Sequence, residues 1–325
     1  MGSSEAGNPW RRVSGVRQVV PLTVLVCHAM WHWIARPYKA GRPARRFSGL
    51  WSRMRSSAGS AVYDTVINHF IKGYAELTHS RPRPETGALV ILLYRLMAAF
   101  DDEYERRIQV GGSMGFDDVF AADQVQDHLK ALSAFLAAYE ERQAIRQFLE
   151  TYTAENYDRY LALTRSADSD VSAESHLAMI ELDSGGFLVC TAQVIAIFNG
   201  HRVSPEVLAQ FAHLGVVGKL ADDMVDVWAD MREGSANALA GMVRSTPDEA
   251  RILSDQALHR RRASYRWWKK HCPASFARFT EVLAHHRDEV TSRSLGLAGD
   301  LMLLPAAWGG PETRKAQSER AEIRV

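Results

Sequence analysis

The segment KLADDMVDVWADMREGSANAL, residues 219–239, places a run of carboxylates on an otherwise apolar helical pattern. Its aspartates are Asp222, Asp223, Asp226 and Asp230. Because an α-helix turns by about 100° per residue, aspartates spaced four apart share one ridge of the helix. Carboxylates on a partly packed helix destabilise it unless a cation compensates their charge. Magnesium suits this position, since it takes oxygen ligands and binds a few carboxylates together with substrate phosphates.

A second acidic cluster lies earlier in the chain, in the stretch MAAFDDEYERR at residues 97–107. Its acidic side chains are Asp101, Asp102 and Glu105. Two acid-rich helices that face each other can hold Mg²⁺ ions between them, and those ions bind a diphosphate and stabilise it as a leaving group. The cations that flank the two clusters are expected to neutralise diphosphate oxygens. They are Lys219, Arg232, Arg106 and Arg107.

The overall composition is that of a globular protein. Hydrophobic residues make up 46% of the 325 residues and charged residues 24%, which excludes an intrinsically disordered chain. The formal net charge of +1 provides no global field that would attract nucleic acid. Cys27, Cys190 and Cys272 show no CxxC spacing. This scatter favours a reducing compartment, the cytoplasm, and argues against a disulfide framework or a zinc cluster.

Helical periodicity continues almost throughout the chain. Apolar residues recur at spacings of three and four, and no convincing period-two run predicts a strand. Turn residues interrupt the pattern at 80–84 and at 200–205, where Ser204-Pro205 also reads as an N-cap followed by proline at the first helical position. We see no internal repeat and no linker long enough to divide the chain. These features predict one all-α domain with a large core.

The two ends of the chain differ from this domain, which we predict at residues 46–310. Residues 1–45 are basic and apolar, and their apolar stretch at 19–35 is short for a membrane span and is interrupted by Pro21. We therefore predict a helix that packs on the domain. Residues 311–325 are charged and are predicted to form a disordered tail. A basic face at 260–270 reads as solvated, or as a weak contact with an anionic membrane surface.

Taken together, the two acidic clusters resemble those of the class I isoprenoid synthases, which include terpene cyclases and trans-prenyl diphosphate synthases. FDDEYE at 100–105 looks like the first DDxxD-type motif of terpene cyclases. ADDMVDVWAD at 221–230 places aspartates at the three metal positions of their second motif, and it is equally similar to the DDxxD second motif of prenyl diphosphate synthases. The stretch that follows, through Gly234 and Asn237, is also similar to cyclases and adds Asn237 to the expected diphosphate-binding residues.

This resemblance implies a single-domain antiparallel helical bundle around a deep central cavity, the isoprenoid synthase fold. It also implies a prenyl diphosphate substrate, three Mg²⁺ ions when substrate is bound, and a homodimer, which is usual for the fold. Metal ligands are expected in both clusters, with Asp101, Asp102, Asp222 and Asp226 as the catalytic carboxylates. Cavity-lining residues are expected among the aromatics and the small-residue helix break, although core packing is the competing interpretation for each aromatic. They are Phe100, Phe187, Phe198, Trp228, Gly185 and Gly186.

The function that the sequence predicts is that of a Mg²⁺-dependent terpene cyclase, a carbon–oxygen lyase that ionises geranylgeranyl or farnesyl diphosphate and cyclises the carbocation. Chain elongation is disfavoured, because Arg106-Arg107 follow the first motif without a spacer and the basic run at 79–84 lies too close to it. The alternatives are a prenyl diphosphate synthase, a squalene or phytoene synthase-like prenyltransferase, and a non-catalytic helical scaffold whose acidic ridges are solvated faces.

Overall fold

The computed structural model describes residues 65–110, 115–167, 173–233, 237–257 and 265–303. Every regular element in these ranges is helical and none is a strand, which confirms the predicted all-α class. The predictions for residues 1–45 and 311–325 concern residues outside these ranges.

The helices follow one another with short connections. In chain order they are α1 (residues 65–78), α2 (Thr86–Val110), α3 (Phe116–Phe120), α4 (Asp123–Leu136), α5 (Arg142–Ala167), α6 (Ala173–Ile180), a π-helical turn (Glu181–Gly185), α7 (Gly186–Phe198), α8 (Pro205–Glu233), α9 (Ala238–Arg244), α10 (Pro247–Ala257), α11 (Tyr265–His271), α12 (Pro273–Glu289) and α13 (Arg293–Met302).

The centre of the bundle is α8, which is 29 residues long. Its start follows from the sequence, because the Ser204 hydroxyl accepts a hydrogen bond from the Val207 N–H at 3.4 Å and Pro205 occupies the first helical position. Leu220, Met224 and Val227 are fully buried. Because they are spaced four and three residues apart, they lie on one side of the helix, and that side faces the core. The helices α7, α12 and α13 pack around it, so the second acidic motif lies on the best-anchored element.

The glycine pair at 185–186, predicted to break or kink its helix, does so only mildly. A π-helical turn joins α6 to α7, and the chain continues as one rod. The turn lies directly against α8: a Cβ added to Gly215 would lie 2.2 Å from the Ser184 carbonyl oxygen, and one added to Gly185 would lie 3.3 Å from the Ala212 carbonyl oxygen. Glycine on both sides therefore allows the two main chains to touch.

Buried side chains gather in three clusters. One surrounds Trp228 and Trp268, between α8, α9, α11 and α12. A second surrounds Phe100, between α2, α4, α5 and α7, and a third surrounds Phe211, between α1, α7, α8 and α13. The run Ala173–Phe198 is apolar and long enough to cross a membrane by length and composition alone. It contributes to all three clusters and packs against α2, α5 and α8, which is how a central bundle helix behaves.

Candidate active site

The first acidic motif lies in the C-terminal half of α2. Asp101 and Asp102 are exposed, whereas Leu96 and Phe100 before them are buried. The buried side holds α2 against α4 and α7, so the two carboxylates are presented at the surface by a firmly packed helix. The side chain of Glu105, the third predicted ligand of this motif, lies outside the described part of the structure.

The second acidic motif lies in the middle of α8. The Asp222 side chain is 57% exposed, and Asp226, one turn further along, is partly buried. Of the three residues between them, Asp223 and Met224 are buried and Val225 is partly buried. Asp222 and Asp226 therefore form an accessible ridge on a helix whose other sides belong to the core.

A tyrosine on α2 lies within electrostatic range of both motifs. Burial raises the pKa of Tyr94, and the carboxylates of Asp222, Asp101 and Asp102 raise it further. Charges act on a titrating group in this way only within roughly a Debye length, about 10 Å. Tyr94 is nevertheless 46% exposed. We call the space bounded by Tyr94, Asp101, Asp102 and Asp222 the acidic hollow.

Lys219 is the cation nearest to the second motif. Its Nζ lies 3.3 Å from Asp222 Oδ2 and 3.3 Å from Asp223 Oδ1. Burial alone lowers the pKa of Lys219, but the carboxylates of Asp223, Asp222 and Asp230 outweigh this effect and raise it above its ordinary value. The ammonium group therefore stays charged at neutral pH. It is placed beside the acidic hollow, where it was predicted to meet a diphosphate.

Asn237 and Asp223 are both buried and form hydrogen bonds within the protein. Asn237 is 1% exposed; its amide donates to the Asp223 carbonyl oxygen at 2.8 Å and to Asp230 Oδ2 at 2.7 Å, while its Oδ1 caps α9 by accepting from the Ala240 N–H. Asp223 is also 1% exposed and accepts from the Ala238 N–H at 2.8 Å. The Asn237 side chain is thus fully engaged within the protein, whereas Asp223 keeps its Oδ1 beside Lys219.

Asp230, the last aspartate of the ridge, stands in a crowded environment. Burial raises its pKa to about 7, and the like charges of Asp223 and Asp226 add to the rise, while the Asn237 hydrogen bond and Lys219 oppose it. Its contact with Asn237 ties α8 to α9.

The predicted diphosphate-binding arginines of α2 bind a neighbouring glutamate instead. Arg106 donates to both Glu103 carboxylate oxygens, at 2.7 and 2.6 Å, and Arg107 Nε donates to Glu103 Oε1 at 2.7 Å. Arg107 also donates to the Asp118 carbonyl oxygen at 2.7 Å. On a helix, positions 103 and 107 face away from position 101. The pair therefore fastens α2 to the segment after it. The side chain of Arg232 lies outside the described residues.

Replacing Glu103 by glutamine is expected to reduce stability in a pH-dependent way. The hydrogen bonds and charges of Arg106 and Arg107 outweigh burial and lower the pKa of Glu103 from 4.5 to about 2. A carboxyl whose pKa is lower in the folded state than in the unfolded state stabilises the protein at pH values above its unfolded-state pKa. This contribution is lost as the pH falls towards the folded-state pKa of about 2. In urea unfolding, E103Q should be less stable than the natural chain at pH 7, and the gap should close below pH 4.5.

The matched control is Glu150→Gln, which removes an exposed partner of Arg146 and should change stability little. A gap between E103Q and the natural chain that stays constant from neutral to acidic pH would contradict the assignment.

Phe100 and Phe187 line an apolar cavity beneath the first motif. Its volume is about 50 Å³, and its walls come from α2, α4, α5 and α7, with Met97, Leu132 and Cys190 among them. This is far below the roughly 300–1,000 Å³ of a typical ligand pocket. A prenyl chain would enter only if the surrounding helices moved apart.

The other predicted cavity residues lie elsewhere. Trp228 is 1% exposed and stacks on Trp268 with ring centroids 5.3 Å apart, and Phe198 is fully buried against Tyr139. Both are core residues: Trp228 belongs to the buried cluster around Trp268, and Phe198 to the buried cluster around Phe100. Gly185 and Gly186 line an outer groove of about 640 Å³ between α5 and the π-helical turn. The sequence pattern identified aromatic and small residues, but it did not fix which side of the helix each one occupies.

Three residues near the hollow were not predicted: Tyr94, Tyr160 and Asp183. Asp183 belongs to the π-helical turn, and its side chain is exposed, yet burial by surrounding protein raises its pKa. Burial likewise raises the pKa of Tyr160, with further contributions from Asp183, Tyr104 and Asp101, which Lys219 opposes. A water-accessible group that is surrounded by protein lies on the wall of a recess. The available signal was a carboxylate inside an otherwise apolar helix, in the stretch MIELDSGGF.

The donor set of the acidic hollow suits Mg²⁺. Accessible carboxylates come from α2 and from α8, and carboxylate oxygens are the ligands that Mg²⁺ prefers. Among the described residues, no three Asp, Glu, His or Cys side chains stand close enough to hold an ion by themselves. This fits an ion that takes one or two carboxylates and completes its shell with phosphate oxygens and water. Asp101, Asp102, Asp222 and Asp226 are the residues that would hold it.

Comparison with known proteins supports the fold. No protein-family model and no curated protein matches the chain. Among solved structures, the chain is similar to a geranylgeranyl pyrophosphate synthetase from Pyrococcus horikoshii Ot3, with a TM-score of 0.50 and 13% sequence identity over 77% of this chain and 88% of the other. At this identity the likeness concerns the arrangement of helices and not the chemistry. The protein therefore has the antiparallel helical fold of an isoprenoid synthase, as the two acidic motifs predicted.

Proposed function

We propose that this protein is a Mg²⁺-dependent terpene cyclase that ionises an allylic prenyl diphosphate, of farnesyl or geranylgeranyl length, and releases diphosphate. The observation that carries this proposal is the shared influence of Asp101, Asp102 and Asp222 on Tyr94. Charges from two separate helices act on one partly exposed tyrosine, which supports an arrangement of these carboxylates around a common site. A diphosphate bridged by metal ions is a ligand that such a site would accommodate.

The residues of the acidic hollow have different roles in the proposed ionisation step. Asp101 and Asp102 on α2, and Asp222 and Asp226 on α8, bind and orient the metal–diphosphate group. When bound, Mg²⁺ supplies the Lewis-acid charge that stabilises diphosphate as it leaves. Lys219, held charged beside Asp222, offers an ammonium to a diphosphate oxygen. The site is set on packed helices before substrate arrives, which is the condition for electrostatic stabilisation of a developing charge.

The apolar cavity next to the acidic hollow suits the hydrocarbon chain of the proposed substrate. Phe100 and Phe187 lie on its wall, and an aromatic face stabilises a nearby cation by about 0.5–2 kcal/mol. Leu93, Leu96 and Leu132 add to a mostly apolar lining, and the exclusion of water by bound substrate would protect a carbocation there from premature capture. The carbocation would thus form at the acidic hollow and react against an apolar wall.

Cyclisation is favoured over chain elongation because of Glu103. Elongation needs a cationic site for a second diphosphate, and Arg106 and Arg107, which follow the first motif, already bind Glu103. The rival candidate is a prenyl diphosphate synthase. It is favoured by the DDxxD spacing of Asp222, Asp223 and Asp226 and by the likeness in fold to a geranylgeranyl pyrophosphate synthetase.

Incubation with allylic diphosphates separates these candidates. The purified chain is supplied with Mg²⁺ and geranyl, farnesyl or geranylgeranyl diphosphate, with and without isopentenyl diphosphate, and products are identified by gas chromatography and mass spectrometry. We expect a cyclic hydrocarbon or alcohol, plus inorganic pyrophosphate, from one allylic substrate alone. A longer diphosphate formed only with isopentenyl diphosphate would show that the protein is a prenyl diphosphate synthase and not a cyclase.

A binding measurement distinguishes either enzyme from a helical scaffold. Inorganic pyrophosphate with Mg²⁺ should raise the melting temperature, because a ligand present at 100 times its Kd stabilises the folded state by about 2.7 kcal/mol. The shift should be absent in Asp101→Ala and preserved in Asp127→Ala, an exposed aspartate on α4 that pairs with Lys130. An unchanged melting temperature in the natural chain would reject the diphosphate site itself.

A further inference from the structure

We propose that Asp183 is the proton acceptor that ends the cyclisation, a catalytic residue outside both acidic motifs. The inference rests on the proposed cyclase function and deepens it. It concerns the last step of the reaction, after diphosphate has left, for which neither motif provides a group.

The position of Asp183 follows from the π-helical turn. Asp183 precedes Phe187 by four residues, about one helical turn, so both lie on a similar side of the rod. The Phe187 ring lies 6.4 Å from the Tyr94 ring and lines the apolar cavity. Asp183 is therefore placed above the cavity wall, next to the acidic hollow. Residues on the other side, Glu181 and Gly185, line the outer groove instead.

Contacts from α5 and α8 support this placement. The π-helical turn packs against both helices. From α5, burial raises the pKa of Tyr160, and the charges of Asp183 and Asp101 raise it further. From α8, Lys219 acts on both Asp183 and Tyr160. Asp183, a carboxylate that belongs to neither motif, thus lies within electrostatic range of groups on both helices that pack against its turn.

The motif aspartates are poorly suited to accept a proton. A carboxylate that binds Mg²⁺ shares its electron pairs with the ion, which weakens it as a base. Asp183 is not one of the expected metal ligands. Burial raises its pKa, which strengthens the carboxylate as a base, while the positive charge of Lys219 and the Ser184 hydroxyl favour its ionised form. The group is therefore available as a base beside an apolar wall.

The step balances as a simple deprotonation. A carbon next to the cationic centre loses a proton to an Asp183 carboxylate oxygen, and the electron pair of that C–H bond becomes the second bond of an alkene. The Asp183 carboxylic acid then returns the proton to water or to the departing diphosphate. No oxidant, reductant or additional substrate is required.

The test compares Asp183→Asn with Glu181→Gln, which changes a carboxylate two residues away in the outer groove. Both variants and the natural chain are supplied with the allylic substrate and Mg²⁺, and pyrophosphate release and the product profile are measured separately. For D183N we expect pyrophosphate release within a few-fold of the natural rate, because ionisation comes first. The share of the natural alkene should fall by about tenfold or more, the lower range of a lost general base, with isomeric alkenes or alcohols in its place. E181Q should match the natural chain in both respects.

An unchanged product profile in D183N would overturn the inference, as would a fall in pyrophosphate release that leaves the profile unchanged. If D183N does not fold, Asp183→Glu keeps the carboxylate, and Asp183→Ala supplied with formate offers a replacement base. A natural profile in D183A without formate overturns the inference, and restoration by formate supports it. Failure of the natural chain to release pyrophosphate would count against the proposed function instead.

Discussion

Replacing Asp226 by alanine should lower the rate of pyrophosphate release by about 100- to 1,000-fold, the range for removal of one group that stabilises developing charge. Asp226 forms the accessible ridge of α8 with Asp222, opposite the first motif. Without it the metal–diphosphate group loses one of its two anchoring points on this helix, and the Mg²⁺ concentration needed for half-maximal rate should rise. Both quantities are read from a coupled pyrophosphate assay with a Mg²⁺ titration.

Asp101→Ala, which acts from α2, should show the same two effects, since the ions are held between the helices. Asp127→Ala, on the outer face of α4 and paired with Lys130, is the matched control and should keep the natural rate. Equal rates for the Asp226 and Asp127 variants would show that the ridge takes no part in catalysis.

The largest effect on stability is expected at Trp228. Its ring is 1% exposed and lies between Trp267 and Trp268, with ring centroids 5.6 and 5.3 Å away. Truncation of a buried tryptophan to alanine costs about 3–5 kcal/mol, through lost transfer free energy and the cavity that remains. We expect W228A at the lower end of this range, since the indole N–H lacks a hydrogen-bond partner, and its removal relieves a desolvation cost. Urea unfolding followed by circular dichroism measures the difference.

Two further variants sharpen this prediction. Trp228→Phe keeps an aromatic ring and removes the unpaired N–H, so it should cost less than about 1.5 kcal/mol, as conservative core exchanges do. Trp267→Ala, at a partly buried ring of the same cluster, should cost less than W228A. The alternative, in which Trp228 lines the substrate cavity, predicts that W228F alters the product profile with little change in stability. An altered profile would therefore contradict the core assignment.

The sequence was informative wherever one element decided the outcome. The start of α8 at Ser204-Pro205 needs only local chemistry, and the ridge of Asp222 and Asp226 needs only helical spacing. The ion pair between Glu103 and Arg107 could also have been predicted from the sequence, because an acidic and a basic residue four positions apart on a helix attract each other.

Other features depended on contacts between elements. Asp223 and Asn237 resemble site residues in the sequence, but the start of α9 packs on α8, where it engages the Asn237 side chain and Asp223 Oδ2. Trp228 and Phe187 are both aromatic residues on apolar helices, and only the packing of neighbouring helices decides that one fills the core while the other lines the cavity. Asp183 was not predicted because a single carboxylate forms no repeated spacing that a sequence motif could reveal.

The touching main chains at Gly215 and Ser184 limit how the protein can open. With no side chain between them to act as a hinge or a cushion, the middle of the long central helix and the bulged turn must travel as one rigid body. Asp183, Lys219 and the second acidic motif are thereby fixed relative to one another throughout the catalytic cycle. Room for a hydrocarbon tail must then be made from the far wall, by displacement of the helices that carry Phe100 and Leu132. Substitutions on that wall, rather than around the bulge, should then set the size of prenyl substrate that the proposed cyclase admits.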